Sequence, residues 1–124
     1  MAFQHKQLAE GGWSNLSLLE QLGNIGSEVG RARKWQNKDK KIFDNTVDRA
    51  LELFDLTIFD PRWRKRLFEI ARARELFCDV ISGEEQYETT LEDLEKYFNQ
   101  FAYAAQNNKD RNNRNLTTTL PFEL

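Results

Sequence analysis

Two rows of mostly acidic residues at helical spacing are the residues best placed to do chemistry. Glu20, Asn24 and Glu28 recur every four residues, and Asp44, Asp48, Glu52 and Asp55 follow at spacings of four, four and three, so each set stacks on one helix face. Facing carboxylates of this kind suit a hard divalent cation such as Mg²⁺, which takes oxygen ligands and keeps waters for a substrate phosphate. Glu28, Glu52 and Asp55 are the three such a site would use. The simpler reading is a solvated acidic face balanced by the basic residues Arg49, Arg62, Arg64, Lys65, Arg66, Arg72 and Arg74. Nucleophilic catalysis has little to work with. His5 is the single imidazole and Cys78, inside the apolar run FCDVI, the single thiol, whereas an activated serine or cysteine needs a base beside it.

The run DPRWRKRLFEIARAR interleaves cations with aromatics. Arg62, Arg64, Lys65 and Arg66 form a basic patch that could neutralise phosphates while Trp63 stacks on a base, although Trp63 also extends an apolar stripe. The formal net charge of -2 supplies no global attraction to nucleic acid, so such a contact would be local. Arg74 follows Leu67 and Ile70 at the next stripe position, which turns it partly toward the core, where an unpaired charge is costly. Glu28 and Asp48 border their own seams and are the expected partners, in an internal ion pair that fixes helix register; an anion-binding arginine is the other reading.

These residues need helices to carry them. Ser17 and Glu20 make a capping box, and Leu18, Leu22, Ile25, Val29 and Ala32 repeat at four and three, predicting a first helix from Ser17 to about Trp35. A second helix starts near Asp39 with Phe43, Val47, Ala50, Phe54 and Ile58 on one face, and Asp60-Pro61 both stops it and caps a third. Trp63, Leu67, Ile70, Phe77 and Ile81 mark that third stripe up to Gly83. A fourth helix opens near Thr90 with Leu91, Leu94, Phe98, Phe101 and Ala105. Gly23, Gly26 and Gly30 lie inside the first helix, each at a cost of ~1 kcal/mol relative to alanine. No strand precedes them as a phosphate loop requires, so they read as a groove for close helix packing, within the bundle or between subunits.

The expected fold is therefore all-α, an antiparallel four-helix bundle with a short N-terminal arm. It spans residues 1–106 as one domain, with a disordered tail over 107–124 that could end in a docking peptide, TTTLPFEL. With 124 residues, 40% hydrophobic, a single modest core is appropriate. No stretch approaches the ~20 apolar residues of a membrane span, so no membrane partner is expected. The lone cysteine and an N-terminus without an apolar signal core fit a cytoplasmic protein. Nine Phe, three Trp and three Tyr exceed what four short seams hold, leaving Phe59, Tyr97 and Tyr103 as candidate surface for a homo-oligomer.

LSLLEQLGNIGSEVGRARKW followed by FDNTVDRALELFDLTIFDPRWRKRLFEIARARE resembles a family of small prokaryotic four-helix proteins of unassigned activity, a likeness running from about His5 to Ala105. More loosely, the chain is similar to the proteins encoded in ribosomal-RNA intervening sequences and to the accessory protein of diversity-generating retroelements. That resemblance implies a ring-like homo-oligomer with basic nucleic-acid-binding surfaces. A second resemblance, to MazG-like nucleoside triphosphate pyrophosphohydrolases, rests on Glu52 and Asp55 in ELFD as half of an Mg²⁺ site, with Glu28 left from the other half, where Asn24 and Ser27 stand in place of acids. The function these readings favour is a non-catalytic oligomeric interaction module, without cofactor, whose partner is nucleic acid or a nucleic-acid-associated protein. The Mg²⁺-dependent enzyme is the alternative.

Overall fold

Ser17 and Glu20 open the first helix with two reciprocal hydrogen bonds: the Glu20 amide donates to Ser17 Oγ at 3.1 Å and the Ser17 amide to Glu20 Oε1 at 3.1 Å. Helix α1 runs Leu18–Trp35. Asp39 caps α2, Lys40–Ile58, by accepting from the Ile42 amide at 3.1 Å. Helix α3 is Leu67–Ser82 and stops at Gly83, whose φ of 75° lies in the left-handed region where a Cβ would be strained. Thr90 and Asp93 form a second reciprocal cap, 3.1 Å in both directions, ahead of α4, Leu91–Asp110. This computed structural model describes residues 12–83 and 88–110, the last two by backbone only. Among the described residues there are four α-helices, short 3-10 turns and no strand, an all-α bundle. None of these helices is long and apolar enough to cross a membrane.

Two boundaries differ from the sequence expectation. Helix α4 continues through Asn107 to Asp110, so the first residues assigned to the tail are helical; the rest of that tail, and the arm up to residue 11, lie outside the described residues. The third helix begins at Leu67, because Pro61–Arg66 winds as a 3-10 segment interrupted at Trp63 (φ -102°, ψ 20°). Leu67 is accordingly 41% exposed, and Ala73 and Leu76 join Ile70 and Phe77 on the buried side of α3.

The core is aromatic at its centre. Phe54, Phe77, Phe98 and Phe101 are fully buried, with the Phe54 ring 5.7 Å from both Phe77 and Phe98; burying one such side chain is worth roughly 1.5–3 kcal/mol. The three α1 glycines all face α4. A Cβ on Gly23 would lie 3.0 Å from Ala102 Cα, one on Gly26 would lie 2.5 Å from Phe98 Cβ, and one on Gly30 would collide with the Glu95 carboxylate. Their absent side chains let α4 approach α1 closely enough for Phe98 to reach the centre of the core.

Candidate interaction site

The connection between α2 and α3 is organised by Asp60. Its carboxylate accepts from the Arg62 amide at 3.0 Å and from Arg62 Nη2 at 2.7 Å, while the same guanidinium donates to Leu16 O at 2.9 Å. Bonds from Arg62 hold the Asp60 carboxyl below its ordinary range, against an opposing push from burial, and Asp60 in turn raises the Arg62 guanidinium. The stability this carboxylate confers is therefore present above the ordinary aspartate range and is lost as pH falls through its lowered value.

Behind Asp60 lies a polar network absent from the sequence reading. Gln21, fully buried, donates through Nε2 to Trp13 O at 2.9 Å and to Asp60 Oδ2 at 3.3 Å, and its Oε1 accepts from Trp63 Nε1 at 2.9 Å. Trp13 Nε1 donates to Thr57 Oγ1 at 3.0 Å, and that hydroxyl donates to Leu53 O at 3.0 Å. One amide side chain thus ties together the residues ahead of α1, the end of α2 and the 3-10 turn. The signal that could have found it is positional: Gln21 lies seven residues before Glu28, on the same flank of the α1 seam, and both are buried.

The turn presents apolar surface outward. Phe59 is 82% exposed and Phe68 83%, with Leu67 between them in sequence also exposed. The expected basic patch divides. Arg62 is held by Asp60 and lies 4.3 Å from the Trp63 ring, and Arg66 pairs with Glu69 at 3.4 Å. Arg64 and Lys65 are exposed with no ion-pair partner among the described residues. Trp63 spends its N–H on Gln21 and one face on Arg62, so it is part of the network. Of the other candidate surface aromatics, Tyr103 is exposed, but Tyr97 packs edge-on against Phe98 and Phe101 at 5.1 and 4.9 Å. Burial, and secondarily the nearby Glu69, pushes the Tyr97 phenol up to about 12.

The acids are drawn into separate pairs. Glu28 accepts from Arg31 Nη1 at 2.9 Å and from Arg49 Nε at 3.4 Å, while Asp55 accepts from Arg74 Nε at 3.0 Å. Arg74 therefore pairs with Asp55, not with Glu28 or Asp48: α3 packs against α2, where the Asp55 turn lies opposite Arg74, and Glu28 is already engaged by Arg49. Asp48 is exposed. Glu28, Glu52 and Asp55 do not converge, and among the described residues no three His, Cys, Asp or Glu side chains form a metal-binding group.

Hollows also mark the described surface. One of about 500 Å³ is bordered by Gln36, Asp79, Glu88 and Thr90 where α3 gives way to α4. Another, about 170 Å³, is an apolar groove between α2 and α3, with Cys78 in its wall. No protein-family model, curated protein or solved structure matches this chain.

Proposed function

We propose that the protein is a non-catalytic oligomeric interaction module whose contact surface is the α2–α3 turn. The observation that carries this is the exposure of Phe59 and Phe68, both above 80%, on a turn pinned from behind by the Gln21 network. Two aromatic rings left in water forgo roughly 1.5–3 kcal/mol each, and apolar surface rimmed by charge marks contact sites. Because the backbone beneath is already held, little ordering opposes their burial against a partner. The separate pairing of Glu28 with Arg31 and Arg49, and of Asp55 with Arg74, weighs against the Mg²⁺-dependent alternative.

Nucleic acid remains the second reading for the partner, favoured by Arg64 and Lys65 beside exposed aromatics, a combination that suits single strands. Light scattering of the full chain across the micromolar range is expected to give a mass rising above the 14.7 kDa of one copy; a constant monomer mass would overturn the self-association. Titration with labelled single-stranded RNA and DNA decides the second reading. Two phosphate contacts predict log–log salt dependence with a slope of about -1.4, and absence of binding at low salt removes nucleic acid as partner.

A further inference from the structure

We propose that Phe68 of one copy seats in the α2–α3 groove of a second copy, whose own Phe68 fills the first copy's groove, giving a two-fold dimer. The inference rests on the interaction-module reading and names its surface. The groove is lined by Val47, Leu51, Phe77, Cys78, Ile81 and Ser82, holds about 170 Å³ and presents no polar surface. A dry apolar cavity of roughly 150 Å³ accepts a benzene ring, so the dimensions fit a phenyl group. Phe68, 83% exposed, offers one.

Geometry selects a second copy as the occupant. Phe68, Ala71, Glu75, Cys78 and Ser82 recur at three, four, three and four along α3, so the ring and the Cys78–Ser82 rim of the groove border one stripe of the helix, while Phe77 and Ile81 line the groove's inner side. Ten residues separate Phe68 from Cys78, about 15 Å of helix, too far for Phe68 to fill its own groove. A two-fold axis passing beside the exposed face of α3, level with the midpoint between them, brings each ring to the other copy's groove, an isologous and closed contact. Charge agrees with this arrangement. The Phe68 end carries Arg64 and Lys65, whereas the groove is edged on α2 by Asp48 and by Asp44, the latter paired with Lys40 at 3.1 Å, each within one turn of Val47. Asp48 is exposed and has no ion-pair partner among the described residues, so the exposed cations of one copy meet exposed acid of the other. Alongside the groove, Arg74 bonds Asp55 at 3.0 Å and approaches Cys78 Sγ at 3.7 Å, which fixes α3 against α2.

Cys78 is the chain's single cysteine and makes the contact directly testable. In Phe68→Cys, position 68 of one copy would face Cys78 of the other, and diamide, which takes up the two thiol hydrogens, should link them. Peptide mapping is expected to show a 68–78 disulfide between copies, and Cys78→Ser in the same background should abolish it. Because Phe68 is exposed, the substitution leaves the core intact. Phe68→Glu should weaken self-association on the order of tenfold or more. Lys65→Glu and Asp48→Lys should each weaken it too, with partial recovery when both are present. Absence of the 68–78 link together with an unchanged mass for Phe68→Glu would overturn this surface while leaving an oligomeric module standing. A wild-type chain that is monomeric in the same runs would overturn both.

Discussion

Replacing Gln21 with leucine is expected to lower the unfolding free energy by about 3 kcal/mol, although leucine has nearly the right volume. The loss comes from what remains behind. Trp63 Nε1 would be left without its acceptor, Trp13 O would keep only the Leu16 amide, and Asp60 would lose one of its donors. A buried polar group deprived of its partner costs about 1–3 kcal/mol, whereas an ordinary hydrogen bond contributes about 1 kcal/mol net. Thr57→Val, which removes the acceptor for Trp13 Nε1 and the hydroxyl's own bond to Leu53 O, should fall in the lower range. Denaturant titration followed by tryptophan emission checks both. A Gln21→Leu variant within about 0.5 kcal/mol of wild type, the usual range for surface substitutions, would mean that the network does not hold the turn.

The second large effect is expected at Gly26, and it runs against helix propensity. Alanine in place of glycine should gain about 1 kcal/mol as a helix former, yet its Cβ would stand 2.5 Å from Phe98 Cβ. Both carbons are fixed to their backbones, so α1 and α4 must part and Phe98 must leave its place between Phe54 and Phe101. Overpacking of this kind costs about 1–3 kcal/mol, more where no rotamer relieves it, and a net loss of about 2 kcal/mol is predicted. Gly23→Ala, with Ala102 at 3.0 Å, should lose less. Gly30→Ala should be nearly neutral: the obstacle is the end of the Glu95 side chain, which can swing away at the expense of its partly exposed 2.8 Å bond to Arg33. Thermal unfolding of the three variants tests the order, and equal losses would contradict the close approach at Phe98.

The caps were legible because they are local. Ser17 with Glu20, Asp39, Gly83 and Thr90 each act within one helical turn, where residue type and spacing determine the bond. Seam residues such as Ile25, Phe54 and Phe98 were legible for the same reason, since period alone assigns a face. Which helix a face meets is a long-range matter. The glycine row announced a close approach but not that α4 makes it, and Arg74 announced a need for a carboxylate without revealing Asp55. The division of the basic patch was closer to hand: Asp60 two residues before Arg62 and Glu69 three after Arg66 are near enough to take those charges. Gln21 was hidden most thoroughly, because its partners Asp60 and Trp63 lie about forty positions away and a lone glutamine beside a seam is usually solvated.

If the α2–α3 turn is where the molecule makes contact, backbone amide NMR of the full chain over a dilution series reads that contact residue by residue. As concentration rises, the amides from Phe59 to Phe68 and from Cys78 to Ser82 are predicted to shift together along one binding curve, while those of Gly23 and Gly26, buried against α4, stay in place. Amide positions that do not move at any concentration, or that move only on α1 and α4, would contradict it.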